Sequence, residues 1–225
     1  MRAPTTNLAN ILANTSLFKM LDEAQLAKVA ARTSVLRMSA NSAVVDAGDV
    51  AEGTYWVVYG QVKIGMHSKE GSSRVLAILG AAKCFGLGEM MHEQPHLAFV
   101  KTTTDTMLLH IDREAMLEVA RENFDFSREI MQCMGRQYYT LMRDIGENTQ
   151  SARQRLANYL LRHAQPDPEA PVELVASKAV IASRLNVTPE TMSRLLREFT
   201  FEGLIQVAGR RISVLDWQRM AAVVA

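Results

Sequence analysis

One stretch near the C-terminus, VTPETMSRLLREFT at 187–200, constrains the fold of this 225-residue chain most. Thr188 can cap the first free amides of a helix, and Pro189 suits the first helical position, where no amide hydrogen is needed. Residues three and four apart share a helix face. One face of this helix is therefore apolar, formed by Met192, Leu195, Leu196 and Phe199. A second face is a polar stripe that consists of Glu190, Ser193, Arg194 and Arg197. Such a stripe can face the solvent or contact a binding partner.

The segments on both sides of this helix favour a binding partner for the polar stripe. Upstream, SKAVIASRLN predicts a short helix that Ser177 caps and that ends at Asn186, a residue type that tolerates the left-handed conformation. Downstream, GLIQVAGRRISVLD predicts a β-hairpin with Arg210 and Arg211 near its tip. Two helices joined by a tight turn and followed by a basic hairpin form a winged helix-turn-helix. In that motif the second helix can enter the DNA major groove while the hairpin contacts phosphates.

The earlier part of the chain predicts strands and then a long helix. Between 35 and 111, runs such as GTYWVVYGQVKIGMHS and SSRVLAILG are separated by turn residues, which is typical of an antiparallel roll. A short helical part at 7–30 precedes the roll, and QPDPEAP at 165–171 predicts a loop. The expected fold class is α+β in three parts. These are a β-roll sensor at 1–111, a helix at 112–148 and a winged helix-turn-helix domain at 149–225.

The long helical stretch carries apolar residues at alternating spacings of three and four, the pattern of a coiled-coil seam. The members of this seam are Met131, Met134, Tyr138, Leu141 and Ile145. A seam this short is also compatible with ordinary core packing. However, Ile130 and Cys133 form a second apolar set that can pack on the roll at the same time. We therefore predict that the seam joins two copies of the chain in a homodimer.

Composition narrows the range of functions. Residues 150–225 hold 10 Lys/Arg against 7 Asp/Glu, whereas residues 1–149 hold 15 against 17, so the basic excess lies with the predicted DNA-binding region. The chain has two cysteines, too few for a four-thiolate metal or iron–sulfur site, and we predict no metal site. No apolar run approaches the length of a membrane span, and the N-terminus does not resemble a signal peptide, so we expect a cytoplasmic protein. No nucleophile–base pattern or phosphate loop is present, so we do not expect an enzyme.

The run SRLNVTPETMSRLLREFTFEGLIQVAGRRISVLD closely resembles the DNA-binding domain of the CRP/FNR superfamily of bacterial transcription regulators. GDVAEGTYWVVYGQVKI resembles the cyclic-nucleotide-binding-type roll of that family, and 112–147 resembles its dimerisation helix. The resemblance implies double-stranded DNA and RNA polymerase as partners, and base reading by Glu190, Ser193 and Arg194. It places contacts to phosphate or to other parts of the duplex at Ser177, Thr188, Pro189, Thr191, Arg197, Arg210 and Arg211.

The base-reading residues favour one branch of the family. The Glu-x-x-Ser-Arg spacing resembles the FNR-like branch, which reads TTGAT half-sites, and Pro189 resembles its denitrification-regulator subgroup. An arginine fork can donate to guanine O6 and N7, a carboxylate can accept from a base amino group, and a serine hydroxyl can meet several base edges. An alternative is a cyclic-nucleotide-binding module that regulates a partner protein. Such a module would have no use for this polar stripe.

The stretch FGLGEMMHEQPHLAF at 85–99 stands where the resemblance implies an effector pocket. Cyclic AMP binders of the family carry a segment resembling FGEL…RSA, in which Gly-Glu contacts the ribose and Arg-Ser holds the phosphate. Aligned without gaps on Phe85-Gly86, this chain has Leu87 in place of that glutamate, and His96 and Leu97 in place of Arg-Ser. Glu89 can supply the ribose contact only after a shift of two residues. Because the anion-binding pair is missing, we do not expect cyclic AMP to bind.

Other effectors remain open at the level of sequence. The iron–sulfur sensor of the FNR type needs four cysteines, mostly near the N-terminus, and residues 1–30 contain none, which excludes it. Haem bound through one of the five histidines is one candidate, although no histidine is assigned as its ligand. Nothing beside Cys84 or Cys133 in the sequence predicts a lowered thiol pKa.

Overall fold

The computed structural model describes residues 5–67, 71–147, 149–163, 172–174 and 176–224. The chain forms two compact units, Met1–Thr140 and Leu141–Ala225. The loop predicted at 165–171 lies outside the described residues, and the predicted part boundaries at 111 and 148 stay predictions. Among the helices that the structure describes, none is both long enough and apolar enough to cross a membrane.

The first unit begins with two helices, α1 (Thr5–Ala13) and α2 (Glu23–Ala31), which extend slightly beyond the helical part predicted at 7–30 at both ends. Asp22 starts α2 because its carboxylate accepts a hydrogen bond from the Gln25 amide at 2.8 Å. The Gln25 side chain in turn accepts from the Asp22 amide at 3.3 Å, which completes a capping box.

Eight strands and one short helix follow in the described residues of this unit, and they form the predicted antiparallel roll. In chain order they are β1 (Thr33–Met38), β2 (Ala43–Val45), β3 (Gly53–Tyr59), β4 (Val62–His67), β5 (Ser73–Leu79), β6 (Cys84–Phe85), α3 (Leu87–His92), β7 (Phe99–Thr102) and β8 (Thr106–Asp112). One sheet has the order β1-β8-β3-β6, the other has the order β2-β7-β4-β5, and all described pairs are antiparallel.

The first sheet is buried on both faces along its inner strand β8, whose successive side chains point to opposite sides. Leu108 on β8 packs with Val57 and Val62 in a cluster that both sheets share. Its neighbour Leu109 packs instead with Leu12 and other residues of the helices, in the larger cluster of this unit. The roll therefore has one core between its sheets and a second core under its helices.

The helical stretch after the roll consists of two helices, α4 (Arg113–Glu122) and α5 (Phe124–Glu147), instead of one. The break lies at Asn123, whose backbone is extended and whose side chain accepts from the Phe126 amide at 3.0 Å. An asparagine that binds a nearby amide competes with the helix in this way. Phe126 and Ile130 of α5 are buried in the larger cluster, which agrees with the predicted packing of Ile130 on the roll.

The second unit contains the predicted helices and hairpin. Its elements after α5 are α6 (Ala152–His163), β9 (Val172–Glu173), α7 (Lys178–Arg184), α8 (Pro189–Phe201), β10 (Ile205–Ala208), β11 (Arg211–Val214) and α9 (Trp217–Val224). Strand β9 pairs with β11 and extends the hairpin to three strands in the order β10-β11-β9. Helix α9 packs against α6. Together the two units have the expected α+β fold, with an antiparallel roll, a long helix and a C-terminal winged helix-turn-helix.

Candidate nucleic-acid interface and effector segment

The turn between α7 and α8 has the capping predicted from the sequence. Asn186 is left-handed, with a φ of 54°. Thr188 Oγ1 accepts from the Thr191 amide at 3.2 Å and starts α8, and Ser177 Oγ accepts from the Val180 amide at 3.3 Å and starts α7. These local hydrogen bonds set where the two helices begin and how sharply the chain turns between them.

A residue distant in sequence also holds this turn. The Arg155 guanidinium, on α6, donates to the Leu185 carbonyl at 2.7 Å and to the Asn186 carbonyl at 3.2 Å. It satisfies carbonyls at the end of α7, where the helix leaves them without partners. No signal in the sequence connects Arg155 with a turn 30 residues away, so this role of Arg155 was not predicted.

The two faces of α8 are arranged as predicted. The apolar face is buried, with exposed fractions of 1% for Met192, 4% for Leu195 and Leu196, and 0% for Phe199. The polar stripe of Glu190, Ser193, Arg194 and Arg197 is exposed along its whole length. The stripe is therefore free of the core of its own unit and available to a partner.

The charged side chains of the stripe have environments that suit base recognition. Hydrogen bonds from its own backbone amide and from the Thr188 hydroxyl lower the pKa of Glu190, so that it is a carboxylate acceptor at neutral pH. Arg194 Nη1 donates to Glu198 Oε1 at 3.1 Å, one turn later on the helix. An exposed pair of this kind stabilises by only about 0.3–0.5 kcal/mol. Arg194 can therefore exchange it for a stronger acceptor.

At the hairpin tip, Arg210 and Arg211 have different roles, although the sequence predicted the same role for both. β10 and β11 pair up to Ala208 and Arg211, and Gly209 takes the left-handed conformation of the turn, with a φ of 64°. The Arg210 guanidinium donates to the Leu174 carbonyl at 2.9 Å, and the Arg210 carbonyl accepts from the Leu174 amide at 2.9 Å. Arg210 and Arg211 are both exposed, but it is the Arg210 guanidinium that secures the chain after β9 to the hairpin.

The predicted effector segment is partly assembled around His96. This side chain is only 4% exposed, its Nδ1 lies 4.0 Å from Glu89 Oε1, and its backbone amide donates to the Asp49 carbonyl at 2.9 Å. Gly86 is left-handed, and a side chain there would meet His96 Cε1 at 3.2 Å. The structure therefore brings together Phe85, Gly86, Glu89 and His96 of the predicted set.

The two leucines of the predicted set do not contribute to this cluster. Leu87 is fully buried in the helix-side core of the roll, and Leu97 is 75% exposed. The two positions that align with Arg-Ser of the cyclic AMP binders are therefore occupied by a buried histidine and a solvent-exposed leucine. Neither offers the charged fork that binds a cyclic phosphate.

Two aromatic residues of this region were missed by the sequence analysis. Tyr55 stacks on Phe85 with ring centroids 4.8 Å apart, and it lies 4.7 Å from the His110 ring. Tyr55 and His110 are directly opposite in the pairing of β3 and β8, which only the strand register determines. Burial lowers the pKa of His110 and raises that of Tyr55.

Two regions of the chain match known domain families. Residues 35–123 match the cyclic nucleotide-binding domain, and residues 154–223 match the Crp-like helix-turn-helix domain. A CRP-like cAMP-activated global transcriptional regulator from Mycobacterium tuberculosis is 21% identical over 217 residues, which cover 94% of this chain and 97% of that protein.

Solved structures share the fold. FixK2 from Bradyrhizobium japonicum has 21% identity and a TM-score of 0.76, over 86% of this chain and 98% of FixK2. DNR from Pseudomonas aeruginosa has 24% identity and a TM-score of 0.53, over 99% of this chain and 100% of DNR. The two domain matches occur in the same order along the chain as the roll and the helix-turn-helix, and a known regulator aligns along nearly the entire chain. These matches identify the protein as a member of the CRP/FNR superfamily of bacterial transcription regulators.

Proposed function

We propose that this regulator binds FNR-like TTGAT-N4-ATCAA palindromes as a homodimer and so controls transcription by RNA polymerase in the bacterial cytoplasm. The observation that carries the proposal is the exposed Glu-x-x-Ser-Arg stripe on the second helix of the helix-turn-helix. Arg194 donates to the guanine of each half-site, Glu190 accepts from an amino group on the opposite strand, and Ser193 lies close to a thymine. Arg211 contacts phosphate.

The surface of α5 supports the homodimer. Four seam residues leave much of their surface in water, with exposed fractions of 58% for Met131, 65% for Tyr138, 55% for Leu141 and 52% for Ile145. Met142 is four residues after Tyr138, lies on the same stripe and is 46% exposed, so it extends the predicted seam. A contiguous apolar stripe of this kind marks an interaction surface. A second copy of α5 offers the same stripe and is the partner that a two-fold palindrome requires.

The proposed effector is a molecule other than cyclic AMP. The match to a cyclic nucleotide-binding domain supports an effector in the roll, and the relative from M. tuberculosis is named as cAMP-activated. In this chain the phosphate-binding fork is replaced by His96 and Leu97. Haem, held by a histidine of the roll, is the candidate that an absorption spectrum can test directly.

The DNA proposal is tested by titrating the full chain against the palindrome and against a random duplex of equal length. Arg194→Ala should weaken binding to the palindrome by about 1–3 kcal/mol, roughly 5- to 150-fold, for each of its two half-sites, and leave the random duplex unchanged. Arg211→Ala is the matched control on the hairpin. It should weaken both duplexes alike and lower the salt slope by about one unit for each copy of the chain in the dimer.

Three outcomes would overturn these assignments. Equal weakening of both duplexes by Arg194→Ala would mean that the stripe contacts the DNA backbone and reads no bases. A rise in melting temperature of several degrees with micromolar cyclic AMP would contradict the effector proposal, because a ligand stabilises only a protein that it binds. If the chain bound cyclic AMP but neither duplex, it would instead fit a regulatory module that acts on a partner protein.

A further inference from the structure

The two cysteines, 49 residues apart in sequence, meet in the first unit. Cys84 on β6 and Cys133 on α5 have their sulfur atoms 3.4 Å apart. Cys84 is 9% exposed and Cys133 is half-buried. The amide nitrogen of Gln137, one turn after Cys133, lies 3.5 Å from Cys84 Sγ and 3.7 Å from Cys133 Sγ. A strand of the roll and the long helix therefore meet at a thiol pair.

The two thiols are chemically unequal. The hydrogen bond with the Cys84 thiol and the nearby Arg136 guanidinium lower the pKa of Cys133 to about 7. The hydrogen bond with Cys133 and burial raise the pKa of Cys84. The expectation that nothing beside the cysteines lowers a thiol pKa is therefore wrong. Arg136 is three residues after Cys133 on the helix, and Cys84 is brought to it only by the tertiary fold.

We propose that Cys84 and Cys133 are a peroxide-reactive thiol pair that closes into an intramolecular disulfide. In the first step the Cys133 thiolate attacks one oxygen of a hydroperoxide, so that an S–O bond forms and the O–O bond breaks. The other oxygen leaves with a proton as an alcohol or water, and Cys133 is oxidised to a sulfenic acid. In the second step the Cys84 sulfur attacks the Cys133 sulfur, an S–S bond replaces the S–O bond, and the departing hydroxide takes the Cys84 proton to form water.

The position of β6 allows this closure. A disulfide needs sulfur atoms about 2.05 Å apart, so the two must approach by about 1.4 Å. β6 has two residues and lies at the edge of its sheet, paired only with β3 in the described sheet order. The disulfide would fasten the strand that leads directly into Gly86 to the helix that carries the proposed seam. Disulfides of this kind in a reducing compartment are transient and sense redox change.

The test is to treat the reduced full chain with hydrogen peroxide and to label the remaining thiols with a maleimide. The wild type should lose both thiols together and give one Cys84–Cys133 peptide, without a covalent dimer. Cys84→Ser should leave a sulfenic acid on Cys133 that dimedone traps. Cys133→Ser should keep Cys84 free at the same dose, because that thiol is buried and protonated.

Arg136→Gln tests whether the Arg136 guanidinium increases the rate at which Cys133 is oxidised. Because the Arg136 guanidinium helps to lower the Cys133 pKa, its removal should raise that pKa, reduce the thiolate fraction at pH 7 and slow oxidation several-fold. Arg128→Gln is the matched control. This residue is also an exposed arginine on α5 and pairs with Asp125 at 2.9 Å, and its replacement should leave the rate unchanged.

Three results would overturn the proposal. They are two free thiols in the wild type after treatment, disulfides only between chains, or equal reactivity of the two single variants. If a variant fails to fold, the wild type alone decides the question through the pH dependence of its alkylation by iodoacetamide. One thiol should react with a midpoint near pH 7 and the other only far above it, whereas a common midpoint near pH 8.5 contradicts the proposal.

Discussion

Replacing Leu141 with glutamate is expected to separate the proposed homodimer into monomers. Leu141 is 55% exposed on the apolar stripe of α5, so that about half of its side chain remains to be buried by a second copy. A carboxylate at this position would stay in water in a monomer but would lose its water in a dimer. The folding of each copy should therefore be nearly unaffected, while association should be strongly weakened.

The magnitude follows from the exposed fraction. Full burial of a leucine side chain contributes about 1.5–3 kcal/mol, so half of it is about 1 kcal/mol per copy and about 2 kcal/mol per dimer. Removing two carboxylates from water adds at least about 2 kcal/mol more. A total of about 4 kcal/mol weakens the dimer about 1000-fold. A dimer with a nanomolar dissociation constant would become a micromolar one.

Sedimentation velocity over a range of concentrations measures this change. The wild type should sediment at twice the 25.0 kDa mass of the chain, and Leu141→Glu should sediment at the mass of one chain. Gln132→Glu is the matched control, because Gln132 is exposed and lies nine residues earlier, on the opposite side of the helix. If Leu141→Glu still forms a dimer with the dissociation constant of the wild type, the stripe does not form the interface and the seam assignment is wrong.

Three further predictions concern stability. Thr188→Ala removes the cap of α8 and should lower the free energy of unfolding of the second unit by about 1 kcal/mol in urea titrations, whereas Thr188→Ser should have little effect. Arg210→Ala should also lower the free energy of unfolding of the second unit by about 1 kcal/mol, because the hydrogen bond to the Leu174 carbonyl is lost. A loss of DNA affinity without a loss of stability would contradict the structural role of Arg210. Burial lowers the pKa of His110 in the folded chain, so as the pH falls the His110 imidazole is protonated in the unfolded chain before it is protonated in the folded chain. The first unit should thus be most stable above the unfolded value of about 6.5 and lose stability as the pH falls below it, and His110→Gln should flatten that part of the melting profile.

The features of the DNA-binding region that the sequence predicted are those set by local interactions. Thr188 and Ser177 bind amides three residues away, Asn186 takes its left-handed conformation within its own turn, and the apolar face of α8 follows from helical spacing. Each of these depends on residues within about one helical turn. They can therefore be recognised without any knowledge of how distant segments pack.

The polar stripe also illustrates the limit of that approach. Spacing alone predicts that Glu190 and Arg194 share a face, and the structure leaves both exposed as expected. The hairpin arginines are adjacent in sequence, equal in charge and both exposed, yet it is Arg210 that donates to the Leu174 carbonyl. The difference arises because the chain after β9 returns to the hairpin tip from more than 30 residues away.

The sequence by itself determined the order of the parts, the helix caps, the two faces of α8 and the absence of an arginine fork in the segment at 85–99, since all of these are properties of neighbouring residues. Only the tertiary structure decided that Tyr55 faces His110, that His96 is buried beside Glu89, that Arg155 holds the turn before α8, and that Cys84 meets Cys133. These contacts depend on strand register and on the packing of helices against the roll. Because register and packing are fixed by the whole set of buried side chains, no short segment of this chain encodes them.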